Sequence, residues 1–564
     1  MASHSQSPNQ RNQSPQLSAQ DWVRDAFKWL LSRSEESQNQ QRRLGLPAIS
    51  AEPLEIVALG VELSRVLSEG AMTLHEALSD PSERANTIRC RLSLLSRTYA
   101  AALQQACLDA LLESNASLVR EITNVAVDLY LGLHGLGIVD GQGFLLQTLA
   151  WTRSPQSLEK LTELLIELPP QDWTSTALGL SPLMRDTQWP VEAVFPSLLE
   201  GLHEPTMIAP ILDLANYCQH QRMVSQHPAS KLENSLTEML GGVVARLGQL
   251  EEDPTRFGDD PKQIQRVLSD AIAVCVSLCD ALGLIGFEGA IGKLHQALEL
   301  RHRRVQTEAA GALARMDQKI GRDSLVALAA EPVSRLRAIH YADELGLSDQ
   351  IDEGYTHPCA LAEAELALWL AQPQQLGLPP KAIEVIDQRM LFWPSFDEPQ
   401  ACFLFRFQYL LPQGEWSNIG MAGPLVHSFA ADLADLPVFD IYSAFAGWHA
   451  EHPEIYEIPV EHWNSAEHRQ ALSLIRSLEE HQHQAINPLW LGCFLGEICL
   501  VAETTVDGAT GVAVTDGLET IWYPNVGRLR PLGPFEAYSI YKGRKILRTF
   551  NADMSNDLDL NDES

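Results

Sequence analysis

The sequence is short of positive charge. Its 564 residues carry 41 lysines and arginines against 73 aspartates and glutamates, a formal net charge of −32. Phosphate contacts need a basic face, so this balance excludes a general nucleic-acid binder and leaves an acidic solvated surface or a basic protein partner. Cysteine is sparse too, with nine residues and no C-x-x-C pair. Cys275 and Cys279 lie one helical turn apart in an apolar run, and Cys493 and Cys499 in another. That pattern predicts reduced, buried thiols in a cytoplasmic setting rather than a zinc knuckle or a disulfide framework. Residues 1–20 lack the apolar core of a secretory signal. No apolar run is expected to reach membrane-spanning length, so no membrane partner is expected.

Catalytic signatures are missing as well. Gly420-Met421-Ala422-Gly423-Pro424 precedes an expected helix as an anion-cradling loop would, but no Lys-Ser or Lys-Thr follows. No G-x-S-x-G nucleophile elbow occurs. Lys542-Gly543-Arg544-Lys545 with Arg548, beside Tyr538 and Tyr541, is the kind of basic and aromatic stretch that binds single strands, and the net charge outweighs it. No cofactor and no catalytic set are expected.

What the sequence has is helical periodicity that repeats. Arg303-Arg304-Val305-Gln306-Thr307-Glu308-Ala309-Ala310-Gly311-Ala312-Leu313 is echoed by Leu336 to Leu345 and by Leu278 to Leu282, roughly 30 residues apart. Small or apolar residues fall three to four apart, as a helix face packed on a neighbouring helix requires. The wording, a basic residue, a β-branched one, then Ala-Ala-x-Ala-Leu, resembles the HEAT-like repeat. That resemblance covers 190–350 and implies an α-solenoid that offers a long surface to a protein partner. HEAT-like repeats also occur in lyases that attach bilin chromophores, so the resemblance carries an enzymatic alternative, with no catalytic residue of that family matched here. Arg301, Arg303 and Arg304 form the densest basic run of this half and are candidate partner-binding residues, against the reading of ion pairs between repeats.

Before the repeats, Pro53 is expected to open a helix that stops near Gly70, with long helices at 83–113 and 117–134. Gly377-Leu378-Pro379-Pro380 marks the expected end of the helical region. Beyond it Phe403, Phe405, Phe407 and Tyr409 alternate with Cys402, Leu404, Arg406 and Gln408, a strand whose aromatic face wants a helix or second sheet against it. A helix is expected after Gly423-Pro424, through Val426, Phe429 and Leu433, then Ile441 to Trp448. Strands follow from Leu491, with turns at Asp507-Gly508 and Asp516-Gly517, and Phe535–Tyr541 and Lys545–Phe550 as the last strands.

Seven of the seventeen histidines lie between 427 and 483. His449 and His452 stand at i and i+3, close enough on a helix to share a metal, with His462 as a third candidate ligand. That constellation supplies the other alternative, a metal-dependent enzyme in the C-terminal region. The leading expectation is a non-catalytic interaction scaffold. Its fold class is mainly α: a polar tail at 1–20, a HEAT-like α-solenoid at 21–380, a smaller α+β domain at 381–550 and an acidic tail at 551–564.

Overall fold

The computed structural model describes residues 53–551 except 70–73, 76, 77, 79–82, 259, 373, 412, 413 and 527–529. The tail expected at 1–20, and all but Asn551 of the tail expected at 551–564, fall outside the described residues. Among the described residues the chain is mainly helical, with two antiparallel sheets in its C-terminal part. It divides into two compact units, Met1–Gly321 and Arg322–Ser564.

In the first unit the helices are α1 (Pro53–Glu69), α2 (Glu83–Leu112), α3 (Ala116–Gly135), α4 (Gln142–Thr152), α5 (Pro155–Glu167) and α6 (Trp173–Leu180). They continue as α7 (Pro205–His220), α8 (Glu233–Glu252), α9 (Pro261–Ile285), α10 (Ile291–Leu298) and α11 (Arg303–Arg315). α12 (Lys319–Leu328) spans the division between the units. The ends follow the local chemistry. Asp260 caps α9 by accepting the Lys262 N–H at 3.0 Å, Pro261 opens the first turn, and Gly286 closes the helix in the left-handed region at φ 72°.

α7, α9 and α11 lie side by side in one layer, while α8 and α10 pack on them from a second. The small residues of the repeat explain how close the layer is. A Cβ added to Gly283 on α9 would stand 2.7 Å from Ala312 Cα on α11. Cys275 and Cys279 are fully buried there, and all nine cysteines are free. α9 also corrects one expectation. It is long and apolar enough to cross a membrane by length and composition, with a mean hydropathy of 1.9 over its best window. Of that window 61% is buried within the protein, so its apolarity is that of a core helix.

The second unit contains α13 (Pro332–Leu345), the short α14 (Glu353–Thr356) and α15 (Pro358–Leu370). Sheet A follows as β1 (Ala382–Phe392), β2 (Pro399–Leu411), β3 (Gly414–Ala422) and the brief β4 (His427–Ser428), in the order β1-β2-β3-β4. Next come α16 (Val438–His449), β5 (Ile455–Pro459) and α17 (Ser465–Glu480). Sheet B is β5-β6-β7-β8-β9, with β6 (Gln484–Phe494), β7 (Glu497–Val506), β8 (Ala509–Thr515) and β9 (Thr520–Pro524), and α18 (Pro534–Phe550) ends the unit.

These elements stack in five layers. Phe403, Phe405, Phe407 and Tyr409 of β2 are buried with Ala362, Leu366 and Leu370 of α15, the helix their aromatic face called for. The other face of sheet A, through Cys402, Leu404, Ile419 and Met421, packs on α16 and α18. Cys499, Val501, Val512 and Val514 of sheet B meet the same helix pair from the far side. α17 covers the outer face of sheet B through Ala471, Leu474 and Leu478.

The unit is internally repeated. Helix, strands and inner helix occur as α15, β1–β4 and α16, then again as α17, β6–β9 and α18. The inner helices keep the match in sequence: Phe439-Asp440-Ile441-Tyr442-Ser443-Ala444-Phe445-Ala446-Gly447 against Phe535-Glu536-Ala537-Tyr538-Ser539-Ile540-Tyr541-Lys542-Gly543. Serine and glycine four apart let the two helices touch backbone to backbone. A Cβ on Gly447 would meet the Ser539 carbonyl oxygen at 1.9 Å, and one on Gly543 the Ser443 oxygen at 1.8 Å. Arg544 fixes the pair by a two-pronged bond to Asp440 at 2.7 and 2.6 Å.

Two local expectations are corrected. The segment after Pro424 is β4 and loop, and the helix begins only at Val438, after Pro437. Phe535–Phe550 is one helix rather than two strands, because its aromatics at 538 and 541 repeat at helical spacing between the sheets. The turns stand as expected. Asp507 and Gly508, at φ 50° and 81°, join Val506 to Ala509 in a two-residue hairpin.

Candidate partner-binding site

The helix layer of the first unit carries a charged face and, on other helix sides, an apolar groove. Asp213, Asn216 and His220 of α7 fall at i, i+3 and i+7 and so share a face, opposite Ser277 and Asp280 of α9. His220 Nε2 lies 3.0 Å from Asp280 Oδ2, and Arg315 of α11 donates to Asp280 Oδ1 at 2.7 Å. Burial alone would raise the Asp280 carboxyl. The hydrogen bond from His220 and the guanidinium of Arg315 outweigh it and hold the group down to about 2.

Ser277 Oγ donates to Asp213 Oδ1 at 2.6 Å, and Asn216 Nδ2 donates to the Ser277 carbonyl at 3.1 Å. Crowding by the helices raises the Asp213 carboxyl to about 6, against the pull of Ser277 and Arg304, and the side of Asp213 left open to water moderates that rise. His227 is buried with its Nδ1 accepting the Ala229 N–H at 3.2 Å, which leaves Nε2 to donate to Asn216 Oδ1 at 3.0 Å. Both nitrogens are thus committed to the neutral ring, and burial brings its pKa down to about 4. Here Ser277 pairs with a carboxylate and His220 with a different one, so the set holds α7, α9 and α11 in register rather than building a nucleophile with its base.

The groove, about 400 Å³, opens between α6, α7, α8 and α9. Trp173, Ile208, Val243, Val267 and Val274 give it apolar walls, and Arg246 and Asp270 stand within the same lining. Trp173 opens α6 beside the Asp172 cap and remains 39% exposed. The Arg246 guanidinium lies 5.7 Å from the Phe257 ring centre, which steers it along the apolar surface. Burial raises the Asp270 carboxyl, with Arg246 and Arg266 opposing. Apolar walls with one charge of each sign are what an amphipathic helix needs for seating and orientation.

The arginines singled out in the sequence stand at the start of α11. The Arg301 backbone N–H donates to Glu251 Oε1 at 2.7 Å, and Arg303 Nη1 donates to Gln306 Oε1 at 2.8 Å. Arg304 acts on Asp213 through its charge. None of the three lines the groove. Among the candidate ligands, His449 Nδ1 accepts the Trp393 indole N–H at 3.2 Å, and His452 Nδ1 accepts the Glu454 N–H at 3.2 Å. His462 sits in a short 3-10 turn after β5. Among the described residues no three His, Cys, Asp or Glu side chains form a group able to hold a metal ion.

Sequence reading missed the groove because its residues come from four helices far apart in the chain, each apolar for ordinary core reasons. The one local signal was Trp173 at a helix start. Comparison of the chain with family models, with curated protein sequences and with solved structures finds no match.

Proposed function

We propose that this chain is a non-catalytic protein-interaction scaffold whose HEAT-like helical array holds an amphipathic helix of a partner in the groove between α6, α7, α8 and α9. The groove carries the reading: walls of Trp173, Ile208, Val243, Val267 and Val274, with Arg246 and Asp270 to orient the guest. The net charge of −32 favours a partner with a basic polar face. Nine free cysteines support a reducing, cytoplasmic setting.

Proximity labelling in the source cells, comparing wild type with Trp173→Ala combined with Val267→Lys, tests this. The expected result is a set of proteins labelled by wild type and lost in the variant, one of which, once purified, binds the variant at least tenfold more weakly. Identical labelling by two equally folded proteins would remove the groove from the function.

A further inference from the structure

We propose that the open edge of β1 in the second unit is a docking site for an extended, basic segment of a partner protein, which adds to sheet A as an antiparallel strand. The internal repeat supplies the argument. β1 and β6 occupy equivalent places, each 11 residues long, each ending on a phenylalanine, Phe392 and Phe494. In sheet B the edge of β6 is covered: β5 runs antiparallel along it, from Ile455 opposite Phe494 to Pro459 opposite Trp490. In sheet A no described strand takes that place, and β1 pairs with β2 alone.

The end of the β1 edge shows what its backbone requires. The Phe392 N–H donates to Asn551 Oδ1 at 2.8 Å, and Asn551 Nδ2 donates back to the Phe392 carbonyl at 3.1 Å. One side-chain amide thus takes both outward-facing backbone groups of the last β1 residue. Backbone groups alternate along a strand, so Met390 and Gln388 turn their N–H and C=O the same way as Phe392. Among the described residues nothing bonds to them, and Met390 is 62% exposed. A bulge between Val385 and Asp387 ends this regular stretch, which leaves an edge about as long as β5.

Side-chain chemistry selects the occupant. Beside β1 a groove of about 560 Å³ is floored by Ile383, Val385 and Phe405 and edged by Glu353 of α14, while the Glu363 carboxylate in the same lining is taken by Arg335. Glu384 is exposed on β1 itself. A partner segment that pairs with Gln388–Phe392 and runs on past the bulge brings apolar and cationic residues to that floor and to Glu353 and Glu384. A second copy of this chain would instead bring its own excess of acid to an acidic edge. The site belongs to the second unit and the helix groove to the first, and neither reading depends on the other.

The test uses the full chain and an end-blocked, fluorescein-labelled nonapeptide of alternating valine and lysine, with its valine–glutamate counterpart, at physiological salt. The lysine peptide is expected to bind saturably and the glutamate peptide at least tenfold more weakly. Met390→Pro removes an outward N–H without touching the ladder to β2, and is expected to weaken binding at least tenfold at an unchanged melting temperature. Equal binding by wild type and Met390→Pro would show simple charge attraction and overturn the proposal. Should that variant fold poorly, hydrogen exchange on wild type decides: slowed exchange at Gln388 and Met390 with the lysine peptide supports the edge, and unchanged exchange overturns it. A concentration-dependent dimer of wild type that Met390→Pro abolishes would give the edge to a second copy and also overturn it.

Discussion

Phe405 is 1% exposed, between the aromatic ladder of β2 and the leucines of α15. Replacing it by alanine removes most of a ring from a packed layer, and Phe405→Ala is expected to cost about 3–5 kcal/mol in the unfolding transition of the second unit, read by denaturant titration. A change near zero would mean that the helix does not cover the sheet. His227 sets a test by pH. Its folded pKa, brought down to about 4, lies below the ordinary 6.5, so the folded state resists the proton. Its contribution to stability is complete above pH 6.5 and is lost as pH falls from there through 4, a total of about 3 kcal/mol. Asp213 runs the other way, since its raised carboxyl favours the fold on acidification, and Asp280 and His220 lie within reach of the ring's charge. The comparison is therefore wild type against His227→Gln: their difference in unfolding free energy should shrink between pH 7 and 4.5. A flat difference would contradict the neutral, doubly bonded ring.

At the scale of elements, the contact between α16 and α18 is the least forgiving in the second unit. Gly543→Ala puts a methyl carbon 1.8 Å from the Ser443 carbonyl oxygen, and backbone cannot step aside. The helices must separate, and every side chain they hold between the two sheets moves with them. The expected loss is about 4 kcal/mol or more, visible as a collapse of the melting temperature, whereas Ser539→Ala, with no new volume, should cost about 1 kcal/mol. This contact also marks where sequence reading stopped. The alternation of Phe403, Phe405, Phe407 and Tyr409 made β2 legible, because a half-buried strand writes its burial at period two. Asp507-Gly508 made a hairpin legible, because few residues accept positive φ. Tyr538 and Tyr541 were read as strand because aromatic residues favour sheets when nothing else is known. Their spacing of three, after Pro534 and Glu536 as helix-start residues, fits a helix, and the match to Tyr442 and Phe445, nearly a hundred residues earlier, points the same way but has no local period. The partner groove was hidden for the same reason, being built from four separated helices.

At the scale of the whole molecule the instructive question is where to cut. The helix-to-strand change lies after the prolines at 379–380, and the first strand begins at Ala382. The compact unit nonetheless begins at Arg322. Packing gives the reason: α15 precedes the prolines yet supplies Ala362, Leu366 and Leu370 to the aromatic face of sheet A. Arg335 of α13 in turn holds α15 by bonds to the Ala360 carbonyl and Glu363, both at 2.6 Å, with its side chain only 4% exposed. A fragment cut at 381 therefore exposes Phe403, Phe405, Phe407 and Tyr409 together, a contiguous apolar surface of the kind that drives aggregation. A fragment of 322–551 keeps that face covered and keeps the Arg335 anchor. Expressed side by side, 322–551 should be soluble and melt cooperatively, and 381–551 should aggregate or bind a hydrophobic dye strongly. If 381–551 instead remains soluble with an equal melting temperature, α15 is dispensable to the sheet, and the five-layer order described for this unit is not what stabilises it.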